Sequence, residues 1–237
     1  MRTRRPRPRP RGLRLAAWAA DYAYAARQQV RHALTPPRLP RGGGQGAPVL
    51  LLPGIYEPWD FLRPVAGRLA ARGHRVHAVE ALGRNAGPVP AAAQVVAAYL
   101  TAADLRDVVI VAHSKGGLIG KSVMLGPAGD RIAGMVAFAT PFAGSALARY
   151  AVRRPLRAFD PRNPDLRHLA AQTSVNERIV ALYPWFDPHI PGRARLRGAR
   201  NLDVPLAGHF RPLGRPLLID TVVREVDRIA AASAAEG

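Results

Sequence analysis

The chain has no cysteine, only two lysines, and fewer than half as many acidic as basic side chains, 16 against 35. The first absence rules out a disulfide framework and any thiolate metal site. The second bears on the charge. A formal balance of +19 would ordinarily raise nucleic acid or an anionic membrane as a partner. Apart from Lys115 and Lys121, however, every basic residue is arginine, in a chain equally heavy in alanine, proline and glycine. That bias has the look of a GC-rich coding background, so basicity says little about partners and nucleic acid is disfavoured. An uninterrupted bilayer-spanning run is also missing, because Arg14 and Asp21 break the apolar stretch over 13–34.

At 237 residues and 48% hydrophobic, the chain is long enough to bury one large core. The first 41 residues hold eleven arginines and a single aspartate, Asp21, so about half of the excess charge lies in an arm. Residues 1–12 alternate arginine with proline and read as a basic, polyproline-like tail. Residues 13–34 are alanine-rich and helical in pattern. A charged start before an apolar run has the outline of an export or twin-arginine signal. Arg14 and Asp21 favour instead an amphipathic helix resting its aromatic side on the domain or on a membrane surface. A cytoplasmic or membrane-peripheral location is therefore favoured over secretion. The Pro/Gly-rich stretch 36–44 is a linker, which sets 1–46 apart as the arm and 47–237 as the folded domain.

From Val49 onward, short apolar runs alternate with helical spacings. Strands are expected at 49–52, 75–79, 108–112, 132–139, 179–183 and 201–206. Helices are expected at 60–72, 91–102, 116–125 and about 215–232. Continuous apolar strands separated by helices predict an α/β fold, a mostly parallel sheet with helices on both faces. Residues 141–178 break the rhythm with prolines and arginines and read either as a lid-like insertion over the strand ends or as a surface excursion.

The most informative stretch is Val108-Val109-Ile110-Val111-Ala112-His113-Ser114-Lys115-Gly116-Gly117. Five β-prone residues run into a serine among small neighbours, and glycines open the next helix. That is the pattern of a nucleophile elbow, whose tight turn pushes the serine out of the sheet edge. Ser114 is the candidate nucleophile. Acyl transfer by serine also needs a base and a carboxylate to orient it, which follow such an elbow in the order acid, then base. The later histidines are His168, His189 and His209. His209 comes directly after the last apolar strand, where a base belongs, and His189 is its competitor. Asp187 follows the penultimate strand and so lies near His209. Asp203 sits within the final strand, and Asp160 and Asp165 fall in the excursion, where solvent is the expected partner. Two donors are needed for the oxyanion: the backbone N–H of Lys115, after the nucleophile, and that of Ile55, in the turn Pro53-Gly54-Ile55-Tyr56.

These motifs resemble an α/β-hydrolase of the bacterial lipase and esterase type. Leu51-Leu52-Pro53-Gly54 is similar to the family's apolar strand ending in His-Gly. Ala112-His113-Ser114-Lys115-Gly116-Gly117 is similar to its Gly-His-Ser-x-Gly-Gly elbow. Ala139-Thr140-Pro141-Phe142-Ala143-Gly144-Ser145 resembles the Thr-Pro-His-x-Gly-Ser/Thr segment after the sixth strand, which puts the insertion there. Asp187-Pro188-His189-Ile190-Pro191 resembles the acid loop and Gly208-His209 the base loop. The resemblance covers about 47–232. It implies a carboxylic ester hydrolase acting on a small-molecule ester or a lipid, with no metal or organic cofactor. An acyltransferase using the same acyl-enzyme is an alternative, as is a non-catalytic hydrolase-like domain whose basic arm contacts a membrane surface or nucleic acid. Proline at 53, alanine at 112 and phenylalanine at 142 depart from the family's commoner residues.

Overall fold

The computed structural model describes residues 11–35, 37–40, 43–192 and 194–236. Most of the basic tail, three linker residues and Arg193 lie outside them. Six strands form one sheet: β1 (Gly46–Leu52), β2 (His74–Ala78), β3 (Val108–His113), β4 (Ile132–Phe138), β5 (Ile179–Phe186) and β6 (Arg200–Ala207). Their order is β2-β1-β3-β4-β5-β6, and every pairing is parallel. The inner strands are mostly apolar because both of their faces are covered, and all six residues of β3 are buried, His113 at its end included.

Successive side chains leave a strand on opposite faces, and the two halves of the core follow. Leu50, Leu52, Val108, Ile110 and Ala112 pack with α3 (Val89–Ala102) and α4 (Lys115–Met124). Val49, Leu51, Val109 and Val111 pack with α2 (Arg63–Ala71) and α7 (Pro216–Glu236). β6 closes one edge, where Pro205 costs no inner ladder bond.

The strand order reverses beside β1: the chain steps outward to β2, then returns to place β3 on the other side. A crevice at the carboxyl ends of β1 and β3 is the place where such a sheet binds ligands. Those ends carry the turn at 53–57 and Ser114. The excursion over 141–178 follows β4, the fourth strand of the chain and not the sixth, because the described sheet begins at residue 46 and has six strands in all. It holds two short helices, α5 (Arg154–Arg157) and α6 (Pro164–Ala171).

The arm contributes α1 (Arg11–Leu34). Its inward side is as polar as it is aromatic: Asp21 and Gln28 are buried, while Trp18 and Tyr22 remain 45% and 42% exposed. The expected aromatic contact with the domain is limited to Tyr22, whose ring meets those of His189 and Phe210, and to the half-buried Tyr24. None of the described helices is long and apolar enough to cross a membrane.

Candidate active site

Ser114 stands at the end of β3 with φ 51° and ψ −119°, a backbone conformation L-residues rarely adopt. Strain of this kind costs on the order of 1–3 kcal/mol and persists only where the surroundings enforce it. Here the Ser114 N–H donates to Phe138 O at 2.9 Å, and the Gly117 N–H donates to Ser114 O at 3.1 Å. The two glycines are sterically required. A Cβ on Gly116 would stand 2.0 Å from Leu52 O, and one on Gly117 2.1 Å from Thr140 Oγ1. Ala112 still belongs to the ladder, opposite Leu52 and Ala137, with its methyl group in the core. That explains why alanine serves where glycine is commoner.

His209 and Asp187 are both buried, and His209 Nδ1 donates to Asp187 Oδ2 at 2.8 Å. The other carboxylate oxygen accepts the backbone N–H groups of His189 (2.8 Å) and Ile190 (3.1 Å). Burial alone would raise the Asp187 pKa, but the charge and hydrogen bond of His209 and the His189 backbone outweigh it and hold the group below its usual value. For His209, burial works downward and the Asp187 carboxylate upward. Asp187 prevails, with Glu57 and Asp21 adding to it, so the imidazole is more basic than usual. Ser114 and His209 line one cavity. No hydrogen bond closes between their side chains here, a contact that in such sites commonly tightens on substrate binding.

The competing residues fall elsewhere or into other roles. Asp203 is exposed on β6 and paired with Arg195 at 2.5 Å. Asp160 is taken up by Arg162, and Asp165 and His168 are exposed. His189 does line the cavity, its ring 4.8 Å from that of His209. Burial first, then the charge of His209, push it down to about 3 against the pull of Asp187, so it is neutral and a poor base at pH 7.

The turn after β1 is tied to the elbow from two sides. Glu57 Oε2 accepts the Gly54 N–H at 2.7 Å and contacts His113 Nδ1 at 2.8 Å, while His113 Nε2 meets His209 O at 2.9 Å. Both ring nitrogens of His113 thus face oxygen atoms, and the pair bridges the turn to the base loop. Gly54 has to be glycine for this, because a Cβ there would lie 2.8 Å from the Glu57 carboxyl group. On the other side, Lys115 Nζ donates to Asn85 O, Asn85 Oδ1 and Gly87 O, and Asn85 Nδ2 donates to Pro53 O. Burial pushes Lys115 down to about 8. The N–H groups of Ile55 and Lys115 have no acceptor among the described residues. Ile55 lines the cavity, and Lys115 N opens α4 directly after Ser114.

The cavity measures about 350 Å³. Leu147, Ala148, Ala151, Leu156 and Phe159 from the excursion form one wall, Phe61 and Phe210 contribute from the domain, and α1 supplies Ala25 and Gln29. Glu57, His113 and Asp21 were not among the candidate site residues read from the sequence. Asp21 had one signal, being the only acid in the first 41 residues. No cluster of His, Asp or Glu among the described residues is arranged to hold a metal ion.

Residues 49–236 match the model of the alpha/beta hydrolase family. Among solved structures, a hydrolase from Oleispira antarctica superposes with a TM-score of 0.60 at 16% identity, over 79% of this chain and 93% of the other. The mature lipase BlEst2 of Bacillus licheniformis gives 0.58 at 16%, over 80% and 96%. A thermophilic esterase from Thermogutta terrifontis gives 0.53 at 18%, over 79% and 92%. At these identities the likeness is one of fold.

Proposed function

The chain belongs to the alpha/beta hydrolase family, and on that footing we propose that it cleaves carboxylic esters through an acyl-enzyme on Ser114. The observation that carries this reading is the buried Asp187–His209 pair, joined at 2.8 Å beside the cavity that also holds the strained Ser114. His209 Nε2 takes the hydroxyl proton as Ser114 Oγ attacks the ester carbonyl. The N–H groups of Ile55 and Lys115 hold the oxyanion. Collapse of the tetrahedral intermediate breaks the ester C–O bond, and the imidazolium returns its proton to the leaving alcohol. Water, deprotonated by the same histidine, then attacks the acyl-enzyme, releasing the acid and regenerating Ser114. Asp187 fixes the ring and stabilises its charged form.

The cavity favours a neutral ester of modest size. Its walls are mostly apolar. At about 350 Å³ it stands at the small end of the range of about 300–1,000 Å³ typical of ligand pockets. Each methylene buried contributes about 0.8 kcal/mol, so kcat/KM should climb about fourfold per carbon along a series of p-nitrophenyl esters until the cavity is full. It should then level off or fall. A rate independent of chain length, or one that keeps rising through long-chain esters, would exclude this cavity as the acyl site. Ser114→Ala serves as the blank throughout.

A further inference from the structure

The loop that presents His209 is held by the far end of the chain. The backbone N–H groups of three consecutive residues converge on one carboxylate: His209 N donates to Asp21 Oδ2 at 2.9 Å, and Phe210 N and Arg211 N donate to Asp21 Oδ1 at 2.8 and 2.7 Å. Successive amides turned to one side form a concavity suited to an anion, and Asp21, wholly buried, fills it. Gly208 makes the fit possible. It has φ +113°, and a Cβ there would stand 2.3 Å from Asp21 Oδ1. The same helix also reaches the turn after β1, where Gln29 Nε2 donates to Tyr56 O at 2.9 Å. Beyond it, His32 Nδ1 lies 3.1 Å from the Asp60 carboxylate. α1 therefore spans from the base loop to the turn proposed to bind the oxyanion.

We propose that Asp21 is a positioning residue of the reaction, an anion supplied by the N-terminal helix that fixes the loop carrying His209. This rests on the reading of Ser114 and His209 as nucleophile and base. A basic arm joined by a Pro/Gly linker is thereby part of the active site, and its single acid is the contact that ties it to the His209 loop. His209 faces Asp187, His189, His113, Glu57 and Asp21. Removing the Asp21 charge alters both the aim of the ring and its basicity.

The test compares the full-length chain with its Asp21→Asn and His32→Ala variants on one p-nitrophenyl ester, with melting curves for all three. The asparagine retains the shape but must turn an N–H₂ toward backbone donors. The expected result is a ten- to hundredfold fall in kcat, the scale of a misplaced catalytic group, with KM within about twofold. The acid limb of kcat/KM should also move to lower pH. His32→Ala loosens the other end of α1 and should keep wild-type kcat. An Asp21→Asn kcat within twofold of wild type, or an equal fall in His32→Ala, overturns the proposal. Should Asp21→Asn fail to fold, amide exchange in the wild-type chain decides: Phe210 and Arg211 should exchange as slowly as the strand amides of β5, and exchange within minutes would contradict the clamp. A wild-type chain that turns over no ester would instead refute the hydrolytic reading and would leave the exchange result standing.

Discussion

At the residue scale, the site is a set of opposed effects on a few buried groups. His209 would lose basicity through burial alone, and Asp187, with help from Glu57 and Asp21, reverses the sign. A base must be neutral to accept the Ser114 proton, so the rate should rise as pH climbs through the His209 pKa and fall below it. Because that pKa lies above the ordinary histidine value of about 6.5, the acid limb of kcat/KM should have its midpoint above pH 6.5. A midpoint near 3, the value to which burial pushes His189 down, would mark the wrong histidine. The sequence allowed Asp187 to be preferred over Asp203 because one follows a strand and the other lies within it, and the structure puts the first against His209 and the second in solvent. Glu57 was not legible. Its partner His113 lies 56 positions away, and only the fold brings them together.

At the element scale, β1, β3, β4 and β5 were legible because parallel strands covered on both faces must be apolar along their length. The elbow was legible because crowding by backbone at Gly116 and by the Thr140 side chain at Gly117 restricts what can stand there. That α1 would form and rest on the domain was among the expectations, but its polar anchor at Asp21 was not, since that depends on amides 188 to 190 residues away, donors that every sequence carries. α4 also contains a feature with no evident catalytic use. Lys121 is buried, its Nζ has no hydrogen-bond partner among the described residues, and burial pushes it down to about 8. A base held below its ordinary value costs stability while it is charged, and the cost fades as pH rises from about 8 toward its unfolded pKa near 10.4. Lys121→Met should therefore stabilise the fold at pH 7 by about 1–3 kcal/mol, the usual penalty of an unsatisfied buried polar group. Urea unfolding at pH 7 and pH 10 checks this, and the gain should be smaller at the higher pH. A variant less stable than wild type at pH 7 would show that the amine has a favourable role.

At the scale of the whole molecule, the reversal of strand order beside β1 explains the placing of the rest. It opens a crevice between the ends of β1 and β3, and β5 and β6 bring Asp187 and His209 to the same edge. The excursion after β4 and the helix of the arm complete the walls of the cavity. The proposed nucleophile, acid and base thus come from three strand ends separated by up to 95 positions in the chain, and only the folded sheet unites them. The most direct measurement of the central claim is reaction with a serine-directed fluorophosphonate, with the adduct located by peptide mass spectrometry. The account predicts one adduct, on the peptide bearing Ser114, absent from Ser114→Ala and formed far more slowly in His209→Ala. Undiminished labelling of Ser114→Ala, or no adduct on the folded wild-type chain, would contradict it.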